Sequence, residues 1–334
     1  MSGAIAGDTA SLSARGRGSG WSRYWFPEAP LADLAILRII AVGTQVALMT
    51  LDPRYTVSSL ATLGELPPEM YQPLPFFKVI LFLLYGHQFS VAELQMLQLV
   101  TIGFGFAALV GLATRVTLPL FAIGTGVIQL WALSHGDIHH PEAVMIVALA
   151  LLALSPAGAV LSVDAWLQRR KRPLTLKEQF AATSHEAKWP ILLVQWFFGL
   201  MYLSACYAKL VVGDYHWANG LTLQYYLAMD GLRWGAPLGL PMSEHYWLAL
   251  FGQWAILAFQ STFFLSLLIQ RLKWIYVPIG MVMHVSIYFM FAAPFWQWTA
   301  LYLCFVPWTA GLRYLGVLQP KEVAPVTVPK ASVA

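Results

Sequence analysis

The sequence predicts an all-α protein: a polytopic transmembrane helical bundle of about eight spans, with one or two short re-entrant or interfacial helices. Three observations predict it. The 334-residue chain is 58% hydrophobic and only 11% charged, whereas soluble domains are roughly 45–50% apolar and about 25% charged. Apolar runs of about 18–25 residues recur along it, each long enough to cross a bilayer as a helix. The basic residues gather between those runs, as membrane topology requires.

The opening residues, "MSGAIAGDTASLSARGRGSG", are small and polar and lack the apolar stretch of a secretion signal. Residues 1–24 are therefore expected to form a disordered cytoplasmic tail, and residues 317–334 a second one, around a single transmembrane domain at 25–316. Spans are expected at 31–51, 90–112, 115–135, 141–161, 190–210, 246–270, 274–293 and 296–314. "PFFKVILFLLYG" (75–86) and "GLTLQYYLAM" (220–229) are too short to cross and read as re-entrant or interfacial segments. All are read as helices, because backbone polar groups must be satisfied internally in lipid and the runs do not alternate as barrel strands do.

Counting Lys and Arg orients the bundle. With the N-terminus inside, 15 fall on the cytoplasmic side and four (Arg54, Lys78, Lys209, Arg233) on the outer side, with Arg38 inside the first span. Both termini are then cytoplasmic, and the loop "SHGDIHHPEA" (134–143) and Lys209 face outward. The expected location is an integral membrane one, the bacterial inner membrane, with the lipid bilayer as partner. The net charge of +4 is spread over loops and is no nucleic-acid signal. Cys206 and Cys304 lie inside apolar runs without CxxC or zinc spacing, and read as small buried hydrophobes.

Polar residues inside spans are the functional candidates. In the fifth span Gln195, Tyr202, Cys206 and Lys209 are separated by 7, 4 and 3 residues, which sets them on one helical face. Lys209 reads in two ways: as a lysine snorkelling to the interface, or as a partly desolvated amine able to act as a base. "HGDIHH" (135–140) also stays open between a metal site, a solvated loop, and a His140 that points into the bundle from the start of the fourth span. His284 sits in an apolar run with Tyr288 one turn on. Arg38 follows Asp33 by five residues and reads as part of a structural ion pair or network. Trp25, Trp131, Trp189, Trp217, Trp296, Trp298 and Trp308 lie near expected span ends, as an aromatic belt would.

Four stretches carry a family resemblance: "PLADLAILRII" (30–40), "IHHPEAVMIVALALLALSPAGAVLSVDAWL" (138–167), "MYLSACYAKLVVGDYHWANG" (201–220) and "MVMHVSIYFMFAAPFWQWTALYLCFVP" (281–307). In order and spacing over residues 30–310, the chain resembles the membrane domain of vitamin K-dependent γ-carboxylase and its bacterial relatives, the HTTM (horizontally transferred transmembrane) proteins. The resemblance implies that Lys209 is the base that deprotonates reduced vitamin K or another quinol, that His140 orients it, and that His284 is a further active-site histidine. Arg38, His139, Tyr288 and Trp217 are implied as supporting residues, and no metal is implied. Ile138-His139-His140 stands where the carboxylase has Asn-Asn-His, and Ala208-Lys209 where it has a Lys-Lys pair. The resemblance covers the membrane domain alone, so it implies quinol-linked proton abstraction at the outer face more than glutamate carboxylation. The implied partners are a lipidic or quinol small molecule and a secreted peptide or protein substrate. The rival expectations are a non-enzymatic maturation or partner protein on the same scaffold, and a transporter, for which the sequence shows no inverted repeat.

Overall fold

A computed structural model describes residues 20–135 and 141–318. The described chain is helical almost throughout; its one strand pair is β1 (Ala29–Pro30) antiparallel to β2 (Thr183–Ser184). The principal helices are α1 (Leu31–Leu51), α2 (Val91–Val110), α3 (Thr114–Leu133), α4 (Pro141–Ala153), α5 (Lys188–Tyr207), α6 (Leu221–Trp234), α7 (Tyr246–Thr262), α8 (Lys273–Phe291) and α9 (Trp296–Leu301). A π-helical turn, Ala208–Val212, prolongs α5.

Among the described residues, six helices are long and apolar enough to cross a membrane: Leu31–Leu51, Val91–Val110, Thr114–Leu133, Lys188–Val212, Tyr246–Leu268 and Gln270–Phe291. This is an integral membrane protein. The expected spans at 141–161 and 296–314 do not form single long helices. The first is the 13-residue α4, which gives way to turns at Ser155-Pro156. Proline lacks the N–H that would extend the ladder, and Pro156 leads into the turn Ala157-Gly158. The second is α9, a 3-10 turn at Tyr302–Phe305, and a separate helix Trp308–Tyr314 after Pro307. The two short apolar segments do form short helices, Pro75–Leu83 and α6. Gly20–Trp25 is helical, and the Trp196 indole donates to the Tyr24 hydroxyl at 2.7 Å; residues 1–19 of the expected tail lie outside the described residues.

The core forms around α1, which packs against α2, α4, α5 and α9. Its inward residues Leu34, Leu37, Val42, Val46 and Met49 are all buried. Outward residues such as Leu99, Phe106, Ile123, Leu200, Phe251 and Val282 are exposed. Helices apolar on both faces are what a lipid solvent requires.

At the end where α1 begins, here the proximal end, polar side chains tie the helices together. Arg38 is fully buried and donates to the Ala157 carbonyl (2.9 Å) and the Leu161 carbonyl (2.7 Å). It does not pair with Asp33, which instead accepts from the Thr309 backbone N–H (2.8 Å) and hydroxyl (2.7 Å) and so caps the last helix. The expected network is therefore present with different partners. Asp164 supplies the countercharge to Arg38 and accepts from the N–H groups of Ala113 and Thr114, each at 2.7 Å, at the start of α3. Gly111 makes the close approach possible: its φ is +73°, and a Cβ there would lie 2.8 Å from Arg38 Nη1.

Candidate functional site

The polar stripe of α5 faces inward along its whole length. Gln195 is buried at the proximal end, where it accepts from Lys273 Nζ (3.1 Å) and donates to the Cys304 carbonyl (2.8 Å). Tyr202 and Cys206 are buried further along, and Lys209 is half-buried near the distal end. Steps of 7, 4 and 3 keep side chains on one face until the π turn begins. Both cysteines are free and buried.

Two centres sit on this face. In the deeper one, Tyr202 and Tyr302 share a hydrogen bond, and His284, Tyr202 and Trp298 pack against one another. The His284 ring stacks on Trp298 at 5.2 Å with an interplanar angle of 13°. Its Nδ1 is 2.9 Å from the Gly280 carbonyl. A carbonyl only accepts, so Nδ1 carries the hydrogen. The Tyr202 hydroxyl is 3.4 Å from the same nitrogen. Gly280 makes room for this cluster, since any Cβ there would occupy the position of the Tyr302 hydroxyl.

In the outer centre, Lys209 Nζ donates to the Ala205 carbonyl at 3.3 Å and lies 5.5 Å from the centre of the Trp217 ring. Among the described residues no carboxylate comes within ion-pair distance of it. The loop that brings Trp217 here is held by Gln253 of α7, whose buried amide donates to the Trp217 carbonyl and accepts from the Gly220 N–H. Gly220 has φ +83°, a left-handed conformation that glycine adopts without strain. Cys206 completes the wall, with its Sγ 3.9 Å from the Leu257 carbonyl.

The expected residues thus separate. Lys209 and Trp217 come together. His284 lies in the deeper centre without touching Lys209, which is seven residues beyond Tyr202, about 10 Å along the helix. Tyr288 is 39% exposed and packs on Trp296 at 5.4 Å, away from His284's partners. Arg38 serves the proximal network. His139 and His140 lie outside the described residues, and with them the expected meeting of His140 and Lys209.

Sequence reasoning missed Trp298 and Tyr302, and Trp131. Trp298 and Trp131 are buried at 2% and 5% exposure, so neither belongs to an aromatic belt. The i, i+4 spacing of Trp298 and Tyr302 was a signal for a shared inward face. Gln253 was missed as well. A buried glutamine inside a span marks a backbone group that needs a partner.

At the distal end the Tyr55 hydroxyl donates to Glu142 at 2.5 Å. Burial first, and the Glu142 charge second, push the Tyr55 phenol well above its ordinary value. No family model, no curated protein and no solved structure matches this chain.

Proposed function

We propose that the protein is a membrane enzyme that binds a quinol-like or lipidic substrate between its helices and uses Lys209 as a general base. The observation that carries this reading is the state of Lys209: half-buried, against an indole face, and free of any carboxylate among the described residues. A lysine in that setting is not tied up in an ion pair and can exchange a proton with a bound substrate. Its position on a π-helical turn adds support, since such turns recur at functional sites.

In the proposed reaction the Lys209 amine takes a hydroxyl proton from the quinol, and the resulting anion is oxidised by dioxygen, one oxygen atom entering the ring as the epoxide and the other leaving as water with the two quinol protons. His284, with its Tyr202–Tyr302 pair, lines the deeper end of the same helix face, and His140 is the proposed orienting partner. Eight membrane passages are proposed, with α4 and α9 as the two short ones, both termini cytoplasmic, and Lys209 toward the outer side of a bacterial inner membrane. The 15-to-4 division of basic residues supports that orientation.

The test is direct. Purified protein in lipid is supplied with reduced naphthoquinone and oxygen, and products are separated by chromatography for the quinone epoxide. Epoxide from wild type and none from Lys209→Ala supports the reading. No epoxide from correctly folded wild type removes it, and leaves the scaffold as a non-enzymatic maturation or partner protein.

A further inference from the structure

A cavity of about 230 Å³ opens at the distal end, between the short helix Val57–Gly64, the turn at Pro68–Met70, the start of α2 and the end of α3. Its walls include Leu63, Leu66, Tyr71, Phe89, Trp131 and His135. None of its lining comes from α5, so it is separate from Lys209. Its size falls just below the roughly 300–1,000 Å³ of drug-sized pockets, which suits a one- or two-ring head group.

Three features define what fits. The first is aromatic walling. The Tyr71 and His135 rings are 5.2 Å apart, and Trp131 and His135 are 4.4 Å apart in an edge arrangement. Such walls favour a flat ring over an aliphatic chain. The second is a directional polar group. His135 is only 9% exposed, and its Nδ1 is 3.1 Å from the Trp131 carbonyl. That carbonyl fixes the hydrogen on Nδ1, so Nε2 of the neutral ring is an acceptor. No protein group among the described residues bonds to Nε2. His135 lines the cavity with this acceptor unused, and the Tyr71 hydroxyl in the same wall is buried without a protein partner, so the wall calls for polar groups from a ligand.

The third is the collar beside the cavity. The chain between Tyr71 and Phe89 forms the helix Pro75–Leu83, anchored by Phe77, which is fully buried. Its entrance is fixed where the Gln72 N–H donates to the Ser134 carbonyl at 2.7 Å, next to His135. Its other face exposes Phe76 (78%), Val79 (57%), Phe82 (79%) and Leu83 (68%). An exposed apolar face of this kind suits contact with lipid. A tail attached to a ring in the cavity would run out along that face.

The geometry points to a second binding site, a holding pocket for the hydroxylated aromatic ring of an amphipathic molecule, with His135 Nε2 accepting the ring hydroxyl. Assigning that ring to a quinol rests on the proposed function; the pocket itself does not.

The experiment measures binding, without turnover. The full chain in nanodiscs is titrated with 1-naphthol and with naphthalene by equilibrium dialysis, with protein-free nanodiscs subtracted. Wild type is expected to bind one 1-naphthol saturably, and several-fold more tightly than naphthalene, as one hydrogen bond provides. His135→Phe should bind both probes equally. Leu66→Trp, which fills the cavity from another wall, should bind neither. The assignment is overturned if uptake matches empty nanodiscs, if the preference for 1-naphthol survives His135→Phe, or if Leu66→Trp binds like wild type. Failure of epoxide formation with intact probe binding would sink the Lys209 reaction and leave the pocket. The reverse pattern would sink the pocket alone.

Discussion

Replacing Arg38 with methionine tests the proximal network most directly. Arg38 is fully buried and is the donor to two carbonyls, Ala157 and Leu161. Leu161 has a left-handed φ of +49°, and is held from its other side by Gln179, which accepts from its N–H at 2.8 Å. Methionine keeps much of the volume but leaves both carbonyls without a donor. Each orphaned carbonyl costs about 1–3 kcal/mol. Removing a buried guanidinium recovers part of that, because its own desolvation is lost. Asp164 keeps its two backbone donors at Ala113 and Thr114, so no unpaired carboxylate adds to the cost. The net expectation for Arg38→Met is destabilisation by about 3 kcal/mol. Arg38→Lys retains the charge but cannot span two carbonyls, and should fall between. The assay is SDS-driven unfolding in bicelles followed by tryptophan fluorescence. An Arg38→Met protein within about 0.5 kcal/mol of wild type, the scatter of ordinary surface substitutions, would refute the view that this arginine clamps the loop after α4.

Gly280→Ala should force the Tyr302 ring out of its seat and cost about 2–4 kcal/mol through overpacking and the lost Tyr202 bond; the same unfolding assay reads it, and a neutral result would argue against the packed cluster. Asp164→Ala removes the acceptor for two N–H groups at the start of α3 and should cost about 1–2 kcal/mol; amide exchange should rise first at Ala113 and Thr114. The raised phenol of Tyr55 carries a pH signature. Its stabilising contribution is complete below the ordinary tyrosine value of 10 and is lost as pH rises from there through the higher folded value. Absorbance titration of wild type and Tyr55→Phe should therefore show the same number of phenols ionising near pH 10, and one phenol fewer there in the variant would refute the assignment.

What the sequence discloses here follows what lipid enforces. Six spans were legible to within a few residues, because apolar length is a direct requirement of the bilayer. The segments at 141–161 and 296–314 carry the same apolar composition but contain Pro156 and Pro307, and hydropathy alone does not weigh a proline. The inward face of α5 was legible from spacing, and Gln195, Tyr202, Cys206 and Lys209 all lie on it. The partners were not. Whether a tryptophan in a span faces lipid or core leaves no mark on composition, which is why Trp298 and Trp131 read as belt residues. Arg38 pairs mainly with backbone carbonyls from 119 and 123 residues away, a long-range contact that no local pattern encodes. Tyr288 shows the converse: one turn from His284 in sequence, it is carried to the surface beside Trp296.

A π-helical turn is an α-helical turn with one residue to spare. At Ala208–Val212 that surplus falls in the last turn of the helix, so it sets where the chain leaves it, at Gly213. Beyond it Asp214 turns the chain with a φ of +59°, and Trp217 and Gly220 reach Gln253, while Leu210, Val211 and Val212 are exposed. The alignment at this end of the molecule is therefore written in chain length rather than in side-chain identity. Exchanging one outward apolar residue for another leaves the count intact, whereas dropping a single residue would restore the regular helix and separate Lys209 from the indole beside it.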